Sequence, residues 1–83
     1  MAMILAADGN NPLDGTAVGT TLTDLQKAVG GYIELVYLPN SDKLLVVDEE
    51  GLMKDYPINQ EASLLARQPI VGDVVVANRD EIS

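Results

Sequence analysis

Thr21–Leu38 reads TLTDLQKAVGGYIELVYL, a short helix pattern that halts at two glycines and turns directly into a strand. Thr21 fits an N-cap, and Asp24 three residues on forms an imperfect capping box while favouring the positive end of the helix. Leu22, Leu25 and Val29 stand at i, i+3 and i+7 with Ala28 beside them, which makes one apolar stripe. Gly30-Gly31 supplies the left-handed stop. The next residues, Tyr32–Leu38, are nearly all β-formers with a single charge, Glu34. A strand apolar on both faces belongs in the middle of a sheet or at an oligomer interface, so the expectation is a helix feeding a central strand.

Downstream, Pro39-Asn40-Ser41-Asp42 is a turn, and Lys43–Asp48 returns as the second arm of a hairpin. Strand alternation puts Leu44 and Val46 on one face and Leu45 and Val47 on the other. Asp48-Glu49-Glu50-Gly51 bends the chain, Leu52–Tyr56 reads as a third short arm, and Pro57 breaks it. Asn59 is a good N-cap for a helix over about 59–67, with Ala62, Leu65 and Ala66 as its apolar face and Gln68-Pro69 as its end. Ile70–Ala77 (IVGDVVVA) is the last strand, with Gly72 marking a bulge, and Asn78–Ser83 is a polar tail. Upstream, Met3–Ala7 reads as a short buried strand, and Leu13–Gly19 holds a few extended residues. Met1-Ala2 fits a cloning scar before a natural Met3 and is given no structural weight. The order predicts one α+β domain: a mixed, mostly antiparallel, curled sheet of four to six short strands, with two helices at about 21–29 and 59–67.

Eighty-three residues with 47% apolar side chains are generous in grease for so small a globule. Some of that surface stays outside the core, which points to a homo-oligomer. Thirteen acidic residues against five basic ones give a net charge of −8. Direct nucleic-acid binding, which needs clustered Lys and Arg, is not expected. The apolar runs are too short to span a bilayer and the N-terminus carries no secretory pattern, so a cytoplasmic protein without membrane attachment is expected.

Histidine, cysteine and tryptophan are all missing, which removes the commonest general base, thiolate chemistry and most transition-metal sites. Any catalysis would rest on carboxylates, lysine or tyrosine. Walker, GxGxxG, GxSxG and EF-hand patterns are not found. The expectation is a non-catalytic protein with no cofactor and no metal. Asp48, Glu49 and Glu50 could hold Mg²⁺ or Ca²⁺, but consecutive carboxylates do not converge on one centre, and a solvated turn fits their spacing better. Glu34, if buried, needs Lys43, Lys54 or Arg67 as partner; otherwise it is a solvent-facing gatekeeper against aggregation. Tyr32 and Tyr37 fall on opposite faces of their strand, and with Tyr56 they are the only aromatics. Each could stack on a ligand or anchor an interface, the commoner role being core packing with an exposed hydroxyl. Asn59 reads as a cap. Arg67 reads as a charge that complements its helix dipole and as the anion contact for a phosphate-bearing ligand.

The segments LTDLQKAVGGYIELVYL, LLVVDEEGLMKDYPINQEASLLA and PIVGDVVVA resemble a family of short phage and bacterial mobile-element proteins known only as a domain of unknown function. The resemblance covers about Leu22–Ala77 and is specific at Gly30–Glu34, Asp48–Gly51, Pro57, Asn59 and Gly72-Asp73. It implies company with accessory and anti-defence genes, and no activity. Three readings follow. One is an interaction protein that blocks a host protein through an acidic surface. Another is an oligomeric sponge for a small nucleotide-type signal, using tyrosine stacking with Lys54 and Arg67. The third is a small carboxylate enzyme. Tyr32, Glu34, Tyr37, Lys54, Tyr56, Asn59 and Arg67 are the ligand or interface candidates.

Overall fold

The computed structural model describes residues 2–82. Five strands, β1 (Ala2–Leu5), β2 (Ala17–Val18), β3 (Ile33–Tyr37), β4 (Lys43–Asp48) and β5 (Val74–Asn78), form one open sheet in the order β2-β1-β5-β4-β3. Every pairing in it is antiparallel, so the mixed sheet expected from the sequence is corrected. Helices α1 (Leu22–Val29) and α2 (Gln60–Ala66) complete the α+β fold.

The two-sided apolar pattern of β4 explains the layering. Leu44 and Val46 join Leu25 and Val29 of α1 with Val75 and Ala77 of β5 in one core cluster. Leu45 and Val47, which point the other way, join Ala62 and Ala66 of α2 with Val74, Leu38 and Ile70 in a second. The sheet is therefore clad by one helix on each face. Leu44, Leu45, Val46, Val74 and Val75 are fully buried, and each contributes about 1.5–3 kcal/mol by leaving water.

Local signals placed both helices well. Thr21 Oγ1 accepts the Asp24 N–H at 3.2 Å, and Gly30 ends α1 at φ +92. Asn59 caps α2, and Arg67 closes it in the left-handed region at φ +58. The apolar faces are narrower than expected. Leu22 is 59% exposed and Leu65 44%, because helices this short reach the sheet through only one or two positions per turn.

Non-local features differ more. The strand after Gly30-Gly31 is the sheet's edge, and β4 and β5 are its apolar centre. Leu52–Tyr56 does not extend; Gly51–Lys54 winds into a 3₁₀ turn that ends at Asp55, φ +56. The last strand starts at Val74, preceded by a lone bridge between Ile58 and Val71, and Gly72 is a turn residue at φ +78 rather than a bulge. Ala2, given no weight above, is 1% exposed and pairs with Val18; Met1 lies outside the described residues. Within the polar tail, residues 78–82 take defined structure too. Asn78 and Glu81 form a capping box on a 3₁₀ turn (Arg79–Glu81), and Ile82 packs on the α1-side core. The Asn78 N–H, 2.9 Å from the Glu81 carboxylate, holds that carboxyl below its usual pKa. Ser83 is outside the described residues.

Candidate functional site

Asp48 is the last residue of β4 and continues the Leu44, Val46 alternation, so its side chain turns into the α1 face at the end of the sheet. It is buried, with its side chain 1% exposed, which corrects its reading as a solvated turn acid. Its Oδ2 accepts the Lys54 ammonium at 2.8 Å and the Tyr56 hydroxyl at 3.1 Å, and its Oδ1 accepts the Glu50 N–H at 2.9 Å. Burial alone would raise the Asp48 pKa; Lys54, the Glu50 N–H and Tyr56 together outweigh it and hold the carboxyl below the usual range. Asp48 in turn raises the pKa of Lys54, whose Nζ also reaches the Gly30 carbonyl at 3.3 Å. The 3₁₀ turn is thereby laced to the end of α1. Glu49 and Glu50 remain exposed, so the acidic trio diverges as its spacing implied.

Tyr56 sits over Gly72, where a Cβ would come within 2.7 Å of the ring. Beside it a cleft of about 310 Å³ runs past Lys27, Gly30, Pro57 and Asp73. Asp48, Lys54 and Tyr56 are thus joined through the Asp48 carboxylate, and they tie the 3₁₀ turn to the end of β4 and to α1.

The opposite face carries a different surface. A groove of about 200 Å³ lies between the outer strands, where Val36 and Val47 sit, and the segment Pro69–Val71, with Leu52 at its rim. Glu34 and Glu49 stand in its lining, and neither makes an ion pair or side-chain hydrogen bond among the described residues. At Gln68 and Pro69 this groove meets a second depression, about 390 Å³, walled by Ile58 and Leu64. The apolar side chains here are unusually bare: Leu52 is 74% exposed and Leu64 80%.

The sequence candidates scatter over these places. Lys54 and Tyr56 meet at Asp48, which sequence reasoning missed although the period-two run through Leu44 and Val46 pointed to it. Glu34 is exposed in the groove, as the gatekeeper alternative has it, and has no basic partner among the described residues. Tyr32 and Tyr37 are 69% and 56% exposed, which corrects the core-packing expectation. The Arg79 guanidinium lies 4.9 Å from the Tyr37 ring. Asn59 is buried and bonded throughout: Oδ1 accepts the Ala62 N–H, and Nδ2 donates to the Leu5 and Gly72 carbonyls. Arg67 ends α2, on the face opposite Lys54.

Among the described residues no helix is long and apolar enough to cross a membrane. A family model, described as a domain of unknown function (DUF3846), matches residues 1–83. No curated protein and no solved structure matches the chain.

Proposed function

The chain belongs to the DUF3846 family, a domain of unknown function, and on that premise we propose that it is a non-catalytic module that grips a segment of a basic partner protein. The observation that carries this reading is the groove under Leu52, where apolar walls lie together with two carboxylates, Glu34 and Glu49, that are unpaired among the described residues. Its complement is a segment with an apolar side chain seated between Lys or Arg. Apolar contact would supply most of the affinity, and the net charge of −8 would steer a cationic partner to the surface. Holding such a segment blocks whatever surface it comes from, which suits the company with anti-defence genes that the resemblance implies.

A nucleotide sponge has less support. Lys54 is engaged by Asp48, Arg67 lies on the other face and Arg79 is stacked near Tyr37, which leaves Lys27 as the cation that shares a cleft with a tyrosine, Tyr56.

Panning a random peptide library on the immobilised protein tests the reading. Selected peptides should place Lys or Arg on either side of Leu, Ile or Phe, and the Glu34→Lys/Glu49→Lys double variant should lose them. A nucleotide panel should leave the melting temperature unmoved, because only a ligand of the folded state raises it. Selection without basic enrichment, or a nucleotide that stabilises the fold, contradicts the proposal.

A further inference from the structure

We propose that a second copy of this chain adds to the outer edge of β3, antiparallel, with Leu35 facing Leu35 across a two-fold axis. The sequence of β3 is apolar on both faces, a pattern suited to a sheet centre or an interface. The structure sets it at the edge, where among the described residues no strand covers its outer side. The other edge is only the two-residue β2, whereas β3 runs five residues and carries a single charged side chain, Glu34. Long, weakly charged edges of this kind pair with other strands unless something covers them.

Backbone geometry fixes which groups are available. Tyr32 O accepts the Glu49 N–H, and Leu38 N–H donates to Lys43 O, so the even-numbered residues bond inward to β4. By antiparallel alternation, Ile33, Leu35 and Tyr37 present their N–H and C=O groups outward. A partner strand of the same sequence must meet these residues with its own outward set. Pairing Leu35 with Leu35 sets Ile33 against Tyr37 at either end and uses all five residues. It also sets Glu34 against Val36, so no like charges face each other. Slipping by two residues in one direction would oppose Glu34 to Glu34, which is unfavourable; slipping the other way leaves Ile33 unpaired. Only the central register satisfies both the hydrogen bonds and the charges.

Glu34 and Val36 also line the groove described above. Pairing brings each of them beside the other in the second copy, so the two grooves join into one trough. The pairing itself does not depend on the partner reading and is tested on the protein alone.

Sedimentation equilibrium of the unmodified chain should show the apparent mass rising toward twice the monomer with concentration. The association should tighten with added salt, since two copies of charge −8 repel until screened. A basic peptide held by charge would instead loosen with salt, which separates the two interactions. The chain has no cysteine, so register can be read by oxidation of Glu34→Cys and Val36→Cys variants whose melts match the parent. An equimolar mixture should form a disulfide dimer joining positions 34 and 36. Neither variant alone should cross-link, because diagonal partners lie about 7–8 Å apart, beyond the roughly 7 Å that a disulfide spans between Cα atoms. A chain that stays monomeric at every concentration and salt, or a Glu34→Cys variant that cross-links to itself, overturns the proposal.

Discussion

Asp48 carries more of the fold than its place in an acidic bend suggests. With Lys54, Tyr56 and the Glu50 N–H on its two oxygens, Asp48→Asn should cost about 1.5–3 kcal/mol at neutral pH, the range for hydrogen bonds to a charged group. Because its pKa is lower in the folded state than in the unfolded chain, its contribution is complete above about pH 4 and fades as pH falls through the folded value. Thermal melts from neutral to strongly acid pH should therefore show the gap between parent and Asp48→Asn closing below about pH 4. A gap that persists there would contradict this. Tyr56 allows a second test. Gly72→Ala drives a methyl into the ring at 2.7 Å, whereas Gly30→Ala meets only the hydroxyl at 3.0 Å, both at positive φ. Gly72→Ala should be the more damaging, and Tyr56→Phe should recover part of the Gly30→Ala loss and none of the Gly72→Ala loss. The measure is the coupling in a double-mutant cycle of urea midpoints. Sequence reasoning grouped Asp48 with Glu49 and Glu50 because they are adjacent. Strand alternation was the better guide, since it separates residue 48 from residue 49 by a face.

At the scale of elements, α2 is held by Asn59 more than by its own length. Seven residues are too few to be stable alone, yet one amide caps the helix and ties it to the Leu5 and Gly72 carbonyls. Asn59→Ala should cost about 2–3 kcal/mol, a lost cap plus buried carbonyls left without partners. Asn59→Ser, which keeps an acceptor for the Ala62 N–H, should fall between. Urea titrations with an unchanged m value would register both, and equal losses would contradict the dual role. The caps of both helices were legible because they depend on residues three or four apart. The hairpin β3–β4 was legible for the same reason. The position of β3 at the edge was not, because strand order is decided by β1 and β5, some thirty or more residues away, filling the other side of β4. The 3₁₀ turn at Gly51–Lys54 was missed because Asp48, not local propensity, draws Lys54 back and prevents extension.

For the whole molecule, the decisive asymmetry is in how the two faces are covered. The α1 face is closed by Leu25 and Val29 and sealed at its end by the Asp48 cluster. The α2 face is covered by Ala62 and Ala66, side chains too small to reach the outer strand, so Val36 is left beside an open groove. Composition foretold surplus apolar surface; its location depended on which residues of α2 face the sheet, and the sequence pattern blurred that by counting Leu65 among them. On the proposed reading, this groove rather than the cleft beside Tyr56 takes the partner segment. The most direct measurement is a ¹⁵N–¹H correlation spectrum of the labelled protein titrated with a library-selected basic peptide. Shifts should concentrate at Glu34, Val36, Glu49, Leu52 and Gln68–Val71. Shifts gathered instead at Lys27, Gly30, Tyr56 and Asp73 would contradict it.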